Sequence, residues 1–189
     1  TRWNTSGQKV TRFMRWLDEG NVQFAYPLLL AGTKPDWCHF YTSNLSVKTE
    51  LVKMFPFNER FPYAAMEDSE LAYRIKRRSS LEIQFIPEAL ADHLHPTTFR
   101  QACRRMLRIG YSCSLFYELW PEQTPPPSSR LRAKFVTYAA RHPALLKPLM
   151  NVASVLTAMV CPNRFMGFVL NCFLEAGVES RRSGKRISS

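Results

Sequence analysis

Pro125-Pro126-Pro127 divides this chain. Three consecutive prolines offer no backbone N–H and hold φ near one value, so they fit neither a helix interior nor a central strand. With Pro121 and Ser128-Ser129 around them, residues 121–129 read as a linker or a stiff turn. The two sides differ in charge. Residues 1–95 carry 12 basic and 11 acidic side chains, whereas residues 96–189 carry 14 basic and 4 acidic, so nearly all of the net +11 lies in the second half. The first half has the mixed surface of an enzyme, and the second is built to meet anions. At 46% hydrophobic and 22% charged residues, the 189-residue chain can bury a real core, which excludes collagen-like and disordered classes.

Cys38, Cys103, Cys113, Cys161 and Cys172 are odd in number and form no Cys-x-x-Cys. Reduced thiols in a cytoplasm-facing protein fit this better than a secreted disulfide scaffold. The chain opens on Thr1-Arg2-Trp3 without an apolar signal segment and is read as a piece of something longer. No apolar run reaches the ~18–20 residues of a membrane-spanning helix.

Residues 1–120 alternate helical and strand patterns. Val10, Phe13, Met14 and Leu17 predict a helix that stops near Gly20. Residues 21–36 read as loop or short strand. Phe40–Leu45 predicts a strand, Ser46–Met54 a short helix and Met66–Arg78 an amphipathic helix with basic residues at its end. Strands are expected at Glu82–Ile86 and Ala89–Leu94, and a long helix from Pro96 to about Leu119. Residues 130–180 are helical in pattern, broken by Pro143, Pro148 and Pro162. The fold class expected is thus α/β, a short mixed sheet with flanking helices, followed by a basic all-helical region.

Three segments carry candidate chemistry. Glu67 and Asp68 stand together in the first turn of a helix, where the helix dipole favours ionised carboxylates. One can take the proton of an attacking hydroxyl while the other holds a second hydroxyl, although such pairs also occur simply as first-turn stabilisers. His93 and His95 share a face if they lie in one strand, and would present two imidazoles to a metal or a phosphate. Asn44 sits in the turn after a predicted strand, either bonding its own backbone or edging a substrate cleft.

In order, Tyr41-Thr42-Ser43-Asn44-Leu45-Ser46, Phe57-Asn58-Glu59-Arg60-Phe61, Met66-Glu67-Asp68-Ser69-Glu70-Leu71-Ala72-Tyr73-Arg74, Ile86-Pro87-Glu88-Ala89 and His93-Leu94-His95 resemble the C-terminal half of a family 2 glycosyltransferase with the GT-A fold. Phe13-Met14-Arg15-Trp16-Leu17-Asp18-Glu19-Gly20-Asn21 resembles a segment that precedes these motifs in some members, so the likeness spans residues 10–118. It implies an inverting transfer of a sugar from a nucleoside-diphosphate sugar to the hydroxyl of a saccharide or lipid-linked acceptor, in cell-envelope polysaccharide synthesis. Asp68 is then the general base and Glu67 positions the acceptor. Ser43, Asn44, Trp16 and Arg104 become substrate-binding residues. His95 or His93, with His95 preferred, contacts the diphosphate or a divalent metal, Mn²⁺ or Mg²⁺.

The chain also departs from the family. It contains no Asp-x-Asp, the family's metal motif, and too few strands precede residue 40 for a nucleotide-binding half. That half is therefore expected to be missing and the piece inactive by itself. Gln101-Ala102-Cys103-Arg104-Arg105 has Arg105 where processive members carry Trp, which argues against a chain-extending synthase. Arg100, Arg104 and Arg108, four apart and joined by Arg105, make one basic helical face, either solvated or facing a diphosphate or anionic lipid.

Beyond the linker, apolar runs at 149–160 and 165–174 are flanked by Arg130, Arg132, Lys134, Arg141 and Lys147 before them and Arg181, Arg182, Lys185 and Arg186 after. That pattern suits either peripheral contact with an anionic membrane, at the inner face of the cell membrane, or a helical bundle on a protein partner. Residues 180–189 read as a basic frayed tail. The other functional class is a non-catalytic basic module bound to a membrane or to nucleic acid. No recognised DNA- or RNA-binding motif occurs, so no nucleic-acid partner is expected.

Overall fold

The computed structural model describes residues 2–126, 131–159, 163–185 and 187. The expectations for residues 127–129 of the proline-rich stretch, Arg130, Val160, Cys161-Pro162, Arg186 and the end of the tail at 188–189 lie outside the described residues.

Two compact units divide the chain, one of residues 1–60 with 67–96 and one of residues 61–66 with 97–189. The first is organised by α4, Glu67–Arg78. Three acids in its first turn and Lys76, Arg77 and Arg78 in its last complement the helix dipole at both ends. Its apolar face, Leu71, Ala72 and Ile75, packs with Phe40 and Phe55, and Trp37, Val47, Leu51, Leu81 and Ile83 close around them. Short helices α1 (Arg12–Glu19), α2 (Tyr26–Leu30) and α3 (Thr49–Met54) complete the unit. The Thr11 hydroxyl accepts from the Met14 N–H to cap α1, and Phe13, Met14 and Leu17 are its buried face.

The expected α/β class is corrected here. The described residues are mostly helical, about 59%, with about 2% in strand. Among the described residues its sheet is one parallel pair, β1 (Arg2–Trp3) with β2 (Asp92–His93). The strands expected at 40–45 and 82–86 are not formed, and of 89–94 only residues 92 and 93 pair. Residues 41–44 close instead into a turn, with the Asn44 N–H donating to the Tyr41 carbonyl. The physical reason lies in the packing: a five-residue strand is stabilised only by neighbours that take its backbone bonds. Phe40 and Ile83, the apolar marks of those two strands, are drawn onto the face of α4.

Among its described residues the second unit is built from four helices: α5 (Phe99–Leu119), α6 (Leu131–Arg141), α7 (Pro143–Met159) and α8 (Asn163–Arg182). A reciprocal capping box starts α5: the Gln101 N–H donates to the Thr98 hydroxyl and the Thr98 N–H to Gln101 Oε1. The backbones of α5 and α8 meet at Gly110 and Gly177. A methyl group added at Gly110 would overlap the Leu174 carbonyl, and one at Gly177 the Leu107 carbonyl. The obstruction is backbone, so no rotamer change relieves it. Gly110→Val is expected to cost this unit about 3 kcal/mol or more, at the upper end of overpacking penalties, read from urea unfolding followed by far-UV circular dichroism. A loss below about 1 kcal/mol would show that the helices separate at little cost.

No described helix is long and apolar enough to cross a membrane.

Candidate functional site

Met66, one residue before α4, holds φ +67, a region that side chains of its size avoid. The strained residue stands directly ahead of Glu67-Asp68. Asp68 is fixed at the start of α4 by two backbone donors. Its Oδ1 accepts from the Ser69 N–H at 2.7 Å. Its Oδ2 lies 3.5 Å from the Thr42 N–H, a contact that crosses 26 residues of sequence. The carboxylate of the acidic pair is thereby placed against the 41–44 turn.

That turn also forms part of a cleft. Asn44 lines it and donates from Nδ2 to the Ala89 carbonyl at 2.7 Å, which ties the turn to the 83–90 segment that also lines it. The cleft has a volume of about 540 Å³. Tyr26, Tyr41 and Phe85 give it aromatic walls, and Asp18, His39 and Gln84 add polar groups. The rings brace one another: Tyr26 meets Tyr41 edge to face at 5.4 Å and stacks on Phe85 at 6.2 Å. The Tyr41 hydroxyl accepts from the Ala25 N–H at 3.1 Å, which leaves its proton free to donate. Burial raises the Tyr41 phenol above its ordinary value, and the Asp68 charge adds to that rise. Burial likewise raises the Asp18 carboxyl. The cleft is mostly apolar with a few placed polar groups, as small-ligand sites are.

The site residues expected from the sequence fall in several places. Asp68 and Asn44 come together through the 41–44 turn, with Glu67 next to Asp68 on α4. Ser43 is exposed on the same turn and does not line the cleft. Trp16 is on α1, stacked on Phe13 at 5.9 Å, and is not a wall of the cleft. Arg104 is exposed on α5 in the second unit, with Arg100, Arg105 and Arg108 also exposed. His93 ends β2, and the ring of His95, beyond the strand, is 5.7 Å from it.

Among the described residues no three His, Cys, Asp or Glu side chains gather to hold a metal ion. His93 Nε2 faces the Gln23 side-chain amide at 3.4 Å, and the neighbouring carboxylate, Asp92, is taken by Arg2 at 2.7 Å. Of the described thiols, Cys38 is exposed with its Sγ 3.4 Å from His39 Nδ1, whereas Cys103, Cys113 and Cys172 offer no nucleophile. Burial pushes Cys103 up to about 12 and Cys113 and Cys172 to about 11, so all three stay protonated at neutral pH.

Two features escaped sequence reasoning. The aromatic walls come from residues 26, 41 and 85, which no local pattern joins. Glu70 is buried and receives Arg74 in a forked pair, Nε to Oε1 at 3.0 Å and Nη2 to Oε2 at 3.1 Å, while Arg74 Nη2 also donates to the Pro56 carbonyl at 2.6 Å. The signal was present as an acid four residues before a base on a helix.

No protein-family model, no curated protein and no solved structure matches the chain. The likeness to family 2 glycosyltransferases therefore rests on the ordered motifs alone.

Proposed function

We propose that this chain supplies the acceptor side of an inverting sugar transferase, with Asp68 as the general base. The observation that carries the reading is the contact of Asp68 with Thr42, in the turn from which Tyr41 and Asn44 line a cleft with aromatic walls; Asp68 and Glu67 themselves do not line it. Sugar rings lie well on aromatic faces, and the Tyr41 hydroxyl and the Asn44 amide are hydrogen-bonding groups suited to saccharide hydroxyls. In the step proposed, an acceptor hydroxyl loses its proton to Asp68 as its oxygen bonds to the anomeric carbon of the donor. The bond from that carbon to the diphosphate oxygen breaks, and the nucleoside diphosphate leaves with the electron pair. One displacement inverts the anomeric centre. Glu67 holds the acceptor from the adjacent position.

The reading does not depend on a GT-A sheet, since function is argued from the site and not from the architecture. With no Asp-x-Asp in the sequence, the donor's diphosphate is assigned to a separate donor-binding segment. The variant Asp68→Asn, in protein that carries this chain together with such a segment, tests the proposal: sugar transfer should collapse while the circular dichroism spectrum is unchanged. Transfer at the wild-type rate would refute the role of Asp68.

A further inference from the structure

We infer that α6 and α7 form a surface for docking on an anionic lipid bilayer. The inference stands apart from the transfer chemistry and uses different residues. Between Glu122 and Glu175 the sequence contains no Asp or Glu, yet Arg130, Arg132, Lys134, Arg141, Lys147 and Arg164 fall within it. Such a segment has no carboxylates of its own to answer its cations. Arg141 finds one outside it, Glu179 on α8, at 3.3 Å. Lys134 and Lys147 are exposed.

The same helices show apolar groups to water. On α7, Leu145, Pro148, Val152, Val155 and Met159 are all exposed, spaced alternately three and four residues apart, while Leu146 and Ala153 on the opposite side are buried. Val155 is 61% and Met159 70% exposed, values that leave most of each side chain in water. On α6, Phe135 and Tyr138 are exposed beside Lys134. Aromatic rings with a neighbouring lysine suit the headgroup boundary, where the ring enters the acyl edge and the ammonium stays with phosphates.

Other occupants fit less well. A nucleic acid would answer the cations and leave the α7 stripe in water. A partner helix would cover the stripe, but Pro148 stands within it, and the cations of the segment would need carboxylates from that helix. An anionic bilayer answers both features at once.

The test is co-sedimentation of the full chain with phosphatidylcholine vesicles, with and without phosphatidylglycerol at a third of the lipid. Binding is expected to the anionic vesicles, to fall steeply in 0.5 M NaCl, and to be at least tenfold weaker to the neutral ones. Val152→Asp with Val155→Asp, at exposed positions, should abolish it with an unchanged circular dichroism spectrum. If that pair of changes disturbs folding, Lys134→Gln with Lys147→Gln serves instead, with about 25-fold weaker binding expected at roughly fivefold per cation. The inference is overturned by no binding to anionic vesicles, by equal binding to both kinds, or by well-folded variants that bind as the wild type does. Binding to a DNA duplex that survives Val152→Asp with Val155→Asp, without vesicle binding, would assign the charge to nucleic acid and overturn it as well.

Discussion

Asp68→Asn is expected to lower sugar transfer by about 10²–10⁴-fold, the range that a positioned general base contributes. The amide is nearly the same size as the carboxylate and keeps an oxygen for the Ser69 N–H, so the start of α4 should stay folded. What it loses is the ability to take a proton. The effect should therefore fall on the chemical step, with kcat reduced and the acceptor KM changed little. A structural role for Asp68 would lower the unfolding midpoint instead. Both quantities are measured on the same preparation, and loss of stability with transfer intact would contradict the assignment.

Glu70→Ala is expected to destabilise the first unit by about 3–5 kcal/mol, the cost of removing one partner of a buried ion pair. The Glu70 side chain is 2% and that of Arg74 15% exposed, so the guanidinium left behind has little water to turn to. Arg74 also holds the Pro56 carbonyl, next to Phe55, which lies in the core with Leu71 and Ile75. Losing Glu70 thus loosens the 55–56 loop as well as the helix. Replacing both partners, Glu70→Met with Arg74→Met, should cost less than the single change, because no charge is then stranded. Urea unfolding followed by tryptophan fluorescence reads both variants; Trp37 is a suitable reporter, meeting Tyr73 of α4 at 5.1 Å. A single change that costs under about 1 kcal/mol, or a double change that costs more than the single, would contradict the account.

The helices were legible where their signals are local. The first-turn acids and last-turn bases of α4 announced it, and the long helix expected to end near Leu119 ends there. The strands were not legible, because a segment rich in aromatic and β-capable residues such as 40–45 says nothing of whether a neighbour will take its backbone bonds. Here the apolar face of α4 competes for Phe40 and Ile83 and prevails. Residues 26–30, expected as loop or short strand, form α2, with Pro27 in its first turn, where a missing N–H costs nothing. Gly110 and Gly177 carry no local signal of their role, which lies in the close approach of two backbones far apart in sequence.

The candidate site was legible only in part. Asp68 and Asn44 entered through ordered motifs, and the geometry joins them through one turn. Trp16 was drawn in by its place in a motif, whereas its ring is occupied in packing on Phe13. His93 and His95 were read as sharing a strand face; β2 stops at His93, and the His95 ring lies 5.7 Å from it.

The central claim is that the cleft beside Asp68 receives a saccharide. The most direct measurement is a ¹⁵N–¹H correlation spectrum of the chain titrated with a panel of neutral mono- and disaccharides. The account predicts saturable shifts confined to the amides of residues 41–45 and 83–90, together with Asp68 and Ser69. Shifts elsewhere only, or none at millimolar saccharide, would contradict it.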